Sequence, residues 1–191
     1  WFHVERVYNN ALLIAEEETC DLQVVKLAAL LHDVADSKFH NGDETIGPKM
    51  AREFLVSQNV AEETINHVIT IIENISFKGG NFEKEFQSKE LEIVQDADRL
   101  DAIGAIGIAR AFNYGGFKNR MLYDPNVQPN LNMSKEEYKK SETPTLNHFY
   151  EKLLLLKDKM NTETGKKVAK KRHDFMVSFL SQFYGEWEGN L

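Results

Sequence analysis

The dipeptide His32-Asp33 closes the apolar run Ala28-Ala29-Leu30-Leu31 and opens the polar stretch Asp36-Ser37-Lys38-Phe39-His40-Asn41-Gly42-Asp43. Imidazole nitrogen and carboxylate oxygen are both metal ligands, and an apolar helix leading into them would hold them more firmly than a loop. The pair therefore reads as the middle of a metal site. Two other stretches must then supply the remaining ligands. The candidates are His3 and the acidic run Asp96-Ala97-Asp98-Arg99-Leu100-Asp101, in which three carboxylates compete.

Periodicity puts these groups on helices. Val4, Val7, Tyr8, Ala11, Leu12 and Ala15 recur at helical spacing over residues 3–18, with His3 on the side of Val7. Asp21 is placed to cap a second helix that runs to His32 and, being apolar almost all round near Ala28 to Leu31, is expected to be central. A helix resumes near Glu44 with Met50, Ala51, Phe54 and Leu55, and another covers 61–75 with Ile65, Val68, Ile69 and Ile72 inward. His67 falls off that apolar line and is expected to be a surface or packing residue. Residues 91–112 read as one helix whose Ala102, Ala105 and Ala109 share a face with Asp98, with Gly104 and Gly107 accepted for close packing.

The stretch 113–132, rich in Gly and Pro, is expected to be a disordered or plain surface loop, with closure over a nucleotide-like substrate as the alternative. A helix over 146–160 and a longer one capped by Thr162 finish the chain. On the last helix Lys166, Lys167, Lys170, Lys171 and Arg172 form a charge-rich face that solvation explains for most of them. No strand pattern or internal repeat interrupts the helical reading. At 191 residues the expectation is an all-α chain with one domain over 1–191.

A net charge of -7 disfavours a general nucleic-acid role, so a small anionic ligand would need a positive site inside a negative surface. The lone Cys20 forms no intrachain disulfide and agrees with a reducing compartment. No apolar run is long enough to span a bilayer and the start lacks the regions of a signal peptide, so a cytoplasmic protein is expected. Because the chain opens at Trp1 rather than Met, further native residues are expected ahead of His3.

Ala29-Leu30-Leu31-His32-Asp33-Val34, taken with Asp96-Ala97-Asp98-Arg99-Leu100-Asp101-Ala102-Ile103-Gly104-Ala105 and the upstream His3, resembles the HD domain superfamily of metal-dependent phosphohydrolases. It looks most like a bacterial subgroup of small HD hydrolases that includes nucleotide pyrophosphohydrolases. The resemblance implies a compact helical HD fold with a C-terminal helical extension. It puts the metal ligands on His3, His32, Asp33 and Asp98, the last chosen because it precedes a basic and an apolar residue. Asp96 keeps a cap or surface role as its alternative, while Asp33, Asp36 or Asp101 would take or relay the proton, with Asp101 orienting a ligand or water.

Two imidazoles and two carboxylates suit one hard or borderline divalent ion: Mn2+ is favoured, with Mg2+, Fe2+, Co2+ and Ni2+ as alternatives. Glu73-Asn74 stands where some relatives carry an added histidine, which argues for a single metal. Arg6, one turn after His3, Arg99 beside Asp98, Lys38 on the polar stretch, and Lys118 and Arg120 in the long segment are candidates to hold phosphate oxygens. The expected substrate is a nucleoside triphosphate or related small phosphorylated nucleotide. A phosphodiesterase, a monophosphatase and a metal-stabilised nucleotide-binding regulatory domain are the alternatives, and a homo-oligomer is left open.

Overall fold

Helix starts follow from local chemistry. The Asp21 carboxylate accepts from Gln23 N at 2.9 Å and Val24 N at 3.2 Å, satisfying two of the amides that a helix N-terminus leaves open. The Thr162 hydroxyl accepts from Gly165 N at 3.0 Å in the same way. The computed structural model describes residues 1–35, 43, 45–75, 86–134, 137 and 142–190. Its helices are α1 (Phe2–Ala15), α2 (Leu22–Leu31), α3 (Ile46–Ser57), α4 (Glu62–Asn74), α5 (Lys89–Asp101), α6 (Gly104–Phe117), α7 (Asn147–Glu151), a 3-10 helix (Leu153–Lys159) and α8 (Glu163–Glu188). Among the described residues there is no strand, and no helix is long and apolar enough to cross a membrane.

Contacts group the chain into two compact units, Trp1–Asp98 and Arg99–Leu191. In the first, α1 packs on α2, and both α2 and α3 pack on α4. Val7, Ala11 and Ile14, Val24, Val25, Ala28 and Ala29, and Ile65, Val68 and Ile71 are buried. Each large aliphatic side chain contributes about 1.5–3 kcal/mol on burial, so the packed faces outweigh propensity in holding helices this short. Buried Asn10 on α1 donates through Nδ2 to Ala97 O of α5 at 3.2 Å, and Gln95 Nε2 of α5 donates to Asn74 O at 3.1 Å. Helix α2 is less enclosed than its composition predicts. Its contacts with α1 and α4 bury Val24, Val25, Ala28 and Ala29, while Leu30 is exposed.

The second unit holds the departures from the helical reading. The helix expected over 91–112 is two helices: Ile103 is extended (φ -126, ψ 167), and Gly104 restarts the chain with a φ of +77. That conformation costs other residues about 1 kcal/mol or more, so Gly104 serves a break rather than close packing. Gly107 serves it too, since a Cβ there would collide with Ala102 O. Two guanidinium groups fasten the break: Arg172 Nη1 donates to Leu100 O at 2.5 Å, and Arg110 Nη1 donates to Asp101 O at 2.9 Å and Asp101 Oδ2 at 2.5 Å. Ala105 and Ala109 therefore do not extend the Asp98 face, and both are exposed.

Residues 113–117 continue α6, and the irregular chain beyond them is tied down rather than loose. Thr145 N donates to Met121 O at 2.9 Å, Leu146 N to Leu122 O at 3.0 Å, and Asn147 Nδ2 to Val127 O at 3.0 Å. The helix expected over 146–160 breaks at Lys152 (φ -144, ψ -57) into α7 and the 3-10 helix. Phe149 stacks on Phe179 of α8, and Phe183 stacks on Trp187. Lys166, Lys167, Lys170 and Lys171 are exposed as expected. Arg172 departs from that solvated face because its guanidinium is spent on Leu100 O.

Candidate metal centre

His3 lies in the first turn of α1, His32 at the C-cap of α2 and Asp98 in the last turn of α5. His32 keeps helical dihedrals (φ -57, ψ -28), so its side chain still projects from the end of the apolar helix. The negative end of the α2 dipole falls at this residue and favours a cation there. His32 Nε2 is 3.3 Å from His3 Nε2, and His3 Nε2 is 3.5 Å from Asp98 Oδ1. One ligating atom from each of the three lies within 4.8 Å of the others. The His3 and Asp98 side chains are 27% and 45% exposed, which leaves the cluster open to a small solute.

The second nitrogen of His32 decides its orientation. Nδ1 is 2.9 Å from Ala29 O, one turn earlier on α2. A carbonyl only accepts, so the proton sits on Nδ1, and in the neutral ring the Nε2 lone pair faces His3. A backbone carbonyl that fixes the tautomer of a ligating histidine is the usual outer partner of a metal site. Two imidazole nitrogens and a carboxylate oxygen thus form a donor set that fits a hard or borderline divalent cation. His32 is legible in the sequence, whereas the Ala29 carbonyl leaves no signal there beyond a spacing of three residues.

The other candidate residues divide by location. Asp33 follows His32 in the turn that ends α2 and is exposed; its carboxylate does not belong to the three-residue cluster. Arg6 is half-buried on α1. Asp96 is fully buried, contrary to the surface alternative, because α5 turns it inward with Ala97. Asp101 is 1% exposed and paired with Arg110. Arg99 Nη1 donates to Lys159 O at 2.8 Å, at the end of the 3-10 helix. Lys118 and Arg120 lie against the Tyr114 ring at 5.8 and 5.7 Å. Asp36 and Lys38 lie outside the described residues. His67 has the packing role expected of it, with Nε2 3.1 Å from Ser88 Oγ and 3.5 Å from Glu90 Oε2.

The HD domain family model matches residues 1–103, a span that takes in His3, His32, Asp33 and Asp98. The chain belongs to the HD domain family. HD domains bind divalent metals, and the His3–His32–Asp98 cluster is a metal-type donor set in this one. The uncharacterized protein YpgQ of Bacillus subtilis is 42% identical over 185 residues, covering 95% of this chain and 81% of YpgQ. An HD-superfamily hydrolase from Bacillus thuringiensis superposes with a TM-score of 0.79 at 44% identity, covering 98% of this chain and 86% of that one. The crystal structure of B. subtilis YpgQ in complex with ADP superposes at 0.76 and 37% identity, covering 97% and 88%. The likeness to these HD proteins therefore extends past the matched family span into the second unit.

Proposed function

We propose that this HD protein is a metal-dependent phosphohydrolase acting on nucleoside triphosphates or related small nucleotides. The observation that carries the reading is the convergence of His3, His32 and Asp98 on one point. The binding of ADP by YpgQ supports a nucleotide as the ligand class. His3, His32 and Asp98 would hold one divalent ion, Mn2+ before Mg2+, Fe2+, Co2+ or Ni2+, with Asp33, the next residue after His32, as the proposed fourth ligand. The ion would supply an activated water and withdraw charge from the phosphoryl group under attack.

The chain's own residues have separate tasks in this reading. Ala29 O holds the His32 ring in the tautomer that offers Nε2. Asp33 or Asp36 takes the proton released from water, and Arg6 and Lys38 neutralise phosphate oxygens. Arg99, Lys118 and Arg120 remain secondary candidates for phosphate, and Asp101 a positioning group behind the end of α5.

The test is a matrix of divalent metals against nucleoside tri-, di- and monophosphates, with products identified. We expect metal-dependent release of pyrophosphate or phosphate from triphosphates. Nucleotide binding by metal-replete protein without turnover on any substrate would overturn the enzyme reading in favour of a binding domain.

A further inference from the structure

The charge-rich face of α8 has a use that the metal centre does not absorb. Lys166 and Lys170 lie one turn apart on α8 and, with Lys157 of the 3-10 helix, line a groove of about 490 Å³ within the second unit. Asp158, His173 and Asp174 also line it. Its volume falls among those of small-molecule sites, about 300–1,000 Å³. The lining brings three lysines together with two aspartates, and Glu163 stands beside Lys166, in a chain whose net charge is -7.

Each lysine already touches a carboxylate: Lys166 to Glu163 at 2.7 Å, Lys170 to Asp174 at 2.6 Å and Lys157 to Asp158 at 3.8 Å. Exposed pairs of this kind contribute about 0–1 kcal/mol, so a multiply charged anion can displace them. The hydrogen bond from Lys170 holds the Asp174 carboxyl below its ordinary range, and the charges of Lys170 and Lys157 act in the same direction.

His173 supplies an independent observation. Its Nδ1 is buried and has no hydrogen-bond partner. A donor N–H buried there without an acceptor is costly, which favours the tautomer with its proton on Nε2. The imidazole is thereby committed as a donor, on a residue that lines the groove.

We propose that this groove is a second, non-catalytic anion site, which binds two linked phosphoryl groups through Lys157, Lys166, Lys170 and His173. Cationic groups from two elements spread charge along the groove instead of focusing it at one point. Such a distribution suits an anion with oxygens on linked phosphoryl groups better than a single phosphate. The site shares no residue with the His3–His32–Asp98 cluster and stands whether or not that cluster holds a metal.

Calorimetric titration of the full chain with inorganic pyrophosphate, in low-salt buffer without added divalent ions, tests this directly. Binding is expected to persist in His32→Ala, to weaken about ten-fold or more when Lys157, Lys166 and Lys170 are changed together to Gln, and to weaken with added salt. Circular dichroism of the triple variant checks that the exposed substitutions leave the helices intact. Parallel titrations separate the sources of the ligand. ADP binding that the triple variant loses identifies the diphosphate of a nucleotide, whereas binding of pyrophosphate alone identifies the free anion. Absence of pyrophosphate binding, equal affinity in the triple variant, or loss in His32→Ala would each overturn the proposal.

Discussion

Asp98 and Asp101 stand three residues apart on one helix and meet opposite surroundings. The Asp98 side chain is 45% exposed and faces a histidine, while Asp101 is buried and held by Arg110. The same contrast separates the polar groups at the metal centre from those of the second unit. At the centre, two imidazole nitrogens and a carboxylate oxygen converge on one point. In the second unit Asp101, Arg172 and Thr162 bind helix ends and breaks, so their hydrogen-bonding capacity goes into the fold. A polar residue that satisfies a fixed backbone group stabilises structure, and one facing other acceptors awaits a cation.

The largest expected effect separates these two roles. Asp98→Ala should lower metal affinity and nucleotide hydrolysis together by at least about 100-fold, since even outer partners of metal ligands are worth about 10–100-fold. Its thermal midpoint without metal should stay close to that of the unchanged chain. Metal content and turnover at unchanged levels would remove Asp98 from the site.

On the other side of the comparison, His148 should impose a pH dependence on stability. Burial, reinforced by the charges of Lys152 and Arg120, pushes its imidazole down to about 4 from an ordinary 6.5. The folded chain keeps this ring neutral while the unfolded chain protonates it. Its contribution is therefore intact above pH 6.5 and is lost as pH falls towards 4, by up to about 3 kcal/mol. Denaturant titrations at several pH values, compared with His148→Gln, should show the variant lacking this component; parallel pH profiles would contradict the assignment.

Asp101→Ala should cost about 2 kcal/mol in stability by stripping the Arg110 guanidinium of its carboxylate. Metal affinity measured on the folded variant should change far less than in Asp98→Ala. If turnover collapses while stability holds, Asp101 belongs to the chemistry, as its place in the acidic run suggests. The smallest effect is reserved for Thr162→Ala, about 1 kcal/mol from loss of the α8 cap, readable as a lower midpoint with unchanged activity.

Much of this was legible in the chain because it depends on local chemistry. Apolar spacing marked the helices, Asp21 and Thr162 marked two of their starts, and His3, His32-Asp33 and the 96–101 acidic run marked the metal-type residues. The breaks were not legible. Gly104 and Gly107 read equally well as small packing residues, and their meaning depends on a positive φ and on an approach to Ala102. Lys152 ends α7 without a Pro or Gly to announce it.

By itself the sequence determined an all-α chain and the residue types of an HD-type donor set, since periodicity and side-chain chemistry are properties of short stretches. Only the tertiary structure decided how the three carboxylates of the acidic run differ. Asp96 enters the core, Asp98 approaches His3, and Asp101 closes on Arg110. Their chemistry is identical, and the distinction comes from which groups packing brings to each, over separations in sequence that no local pattern records.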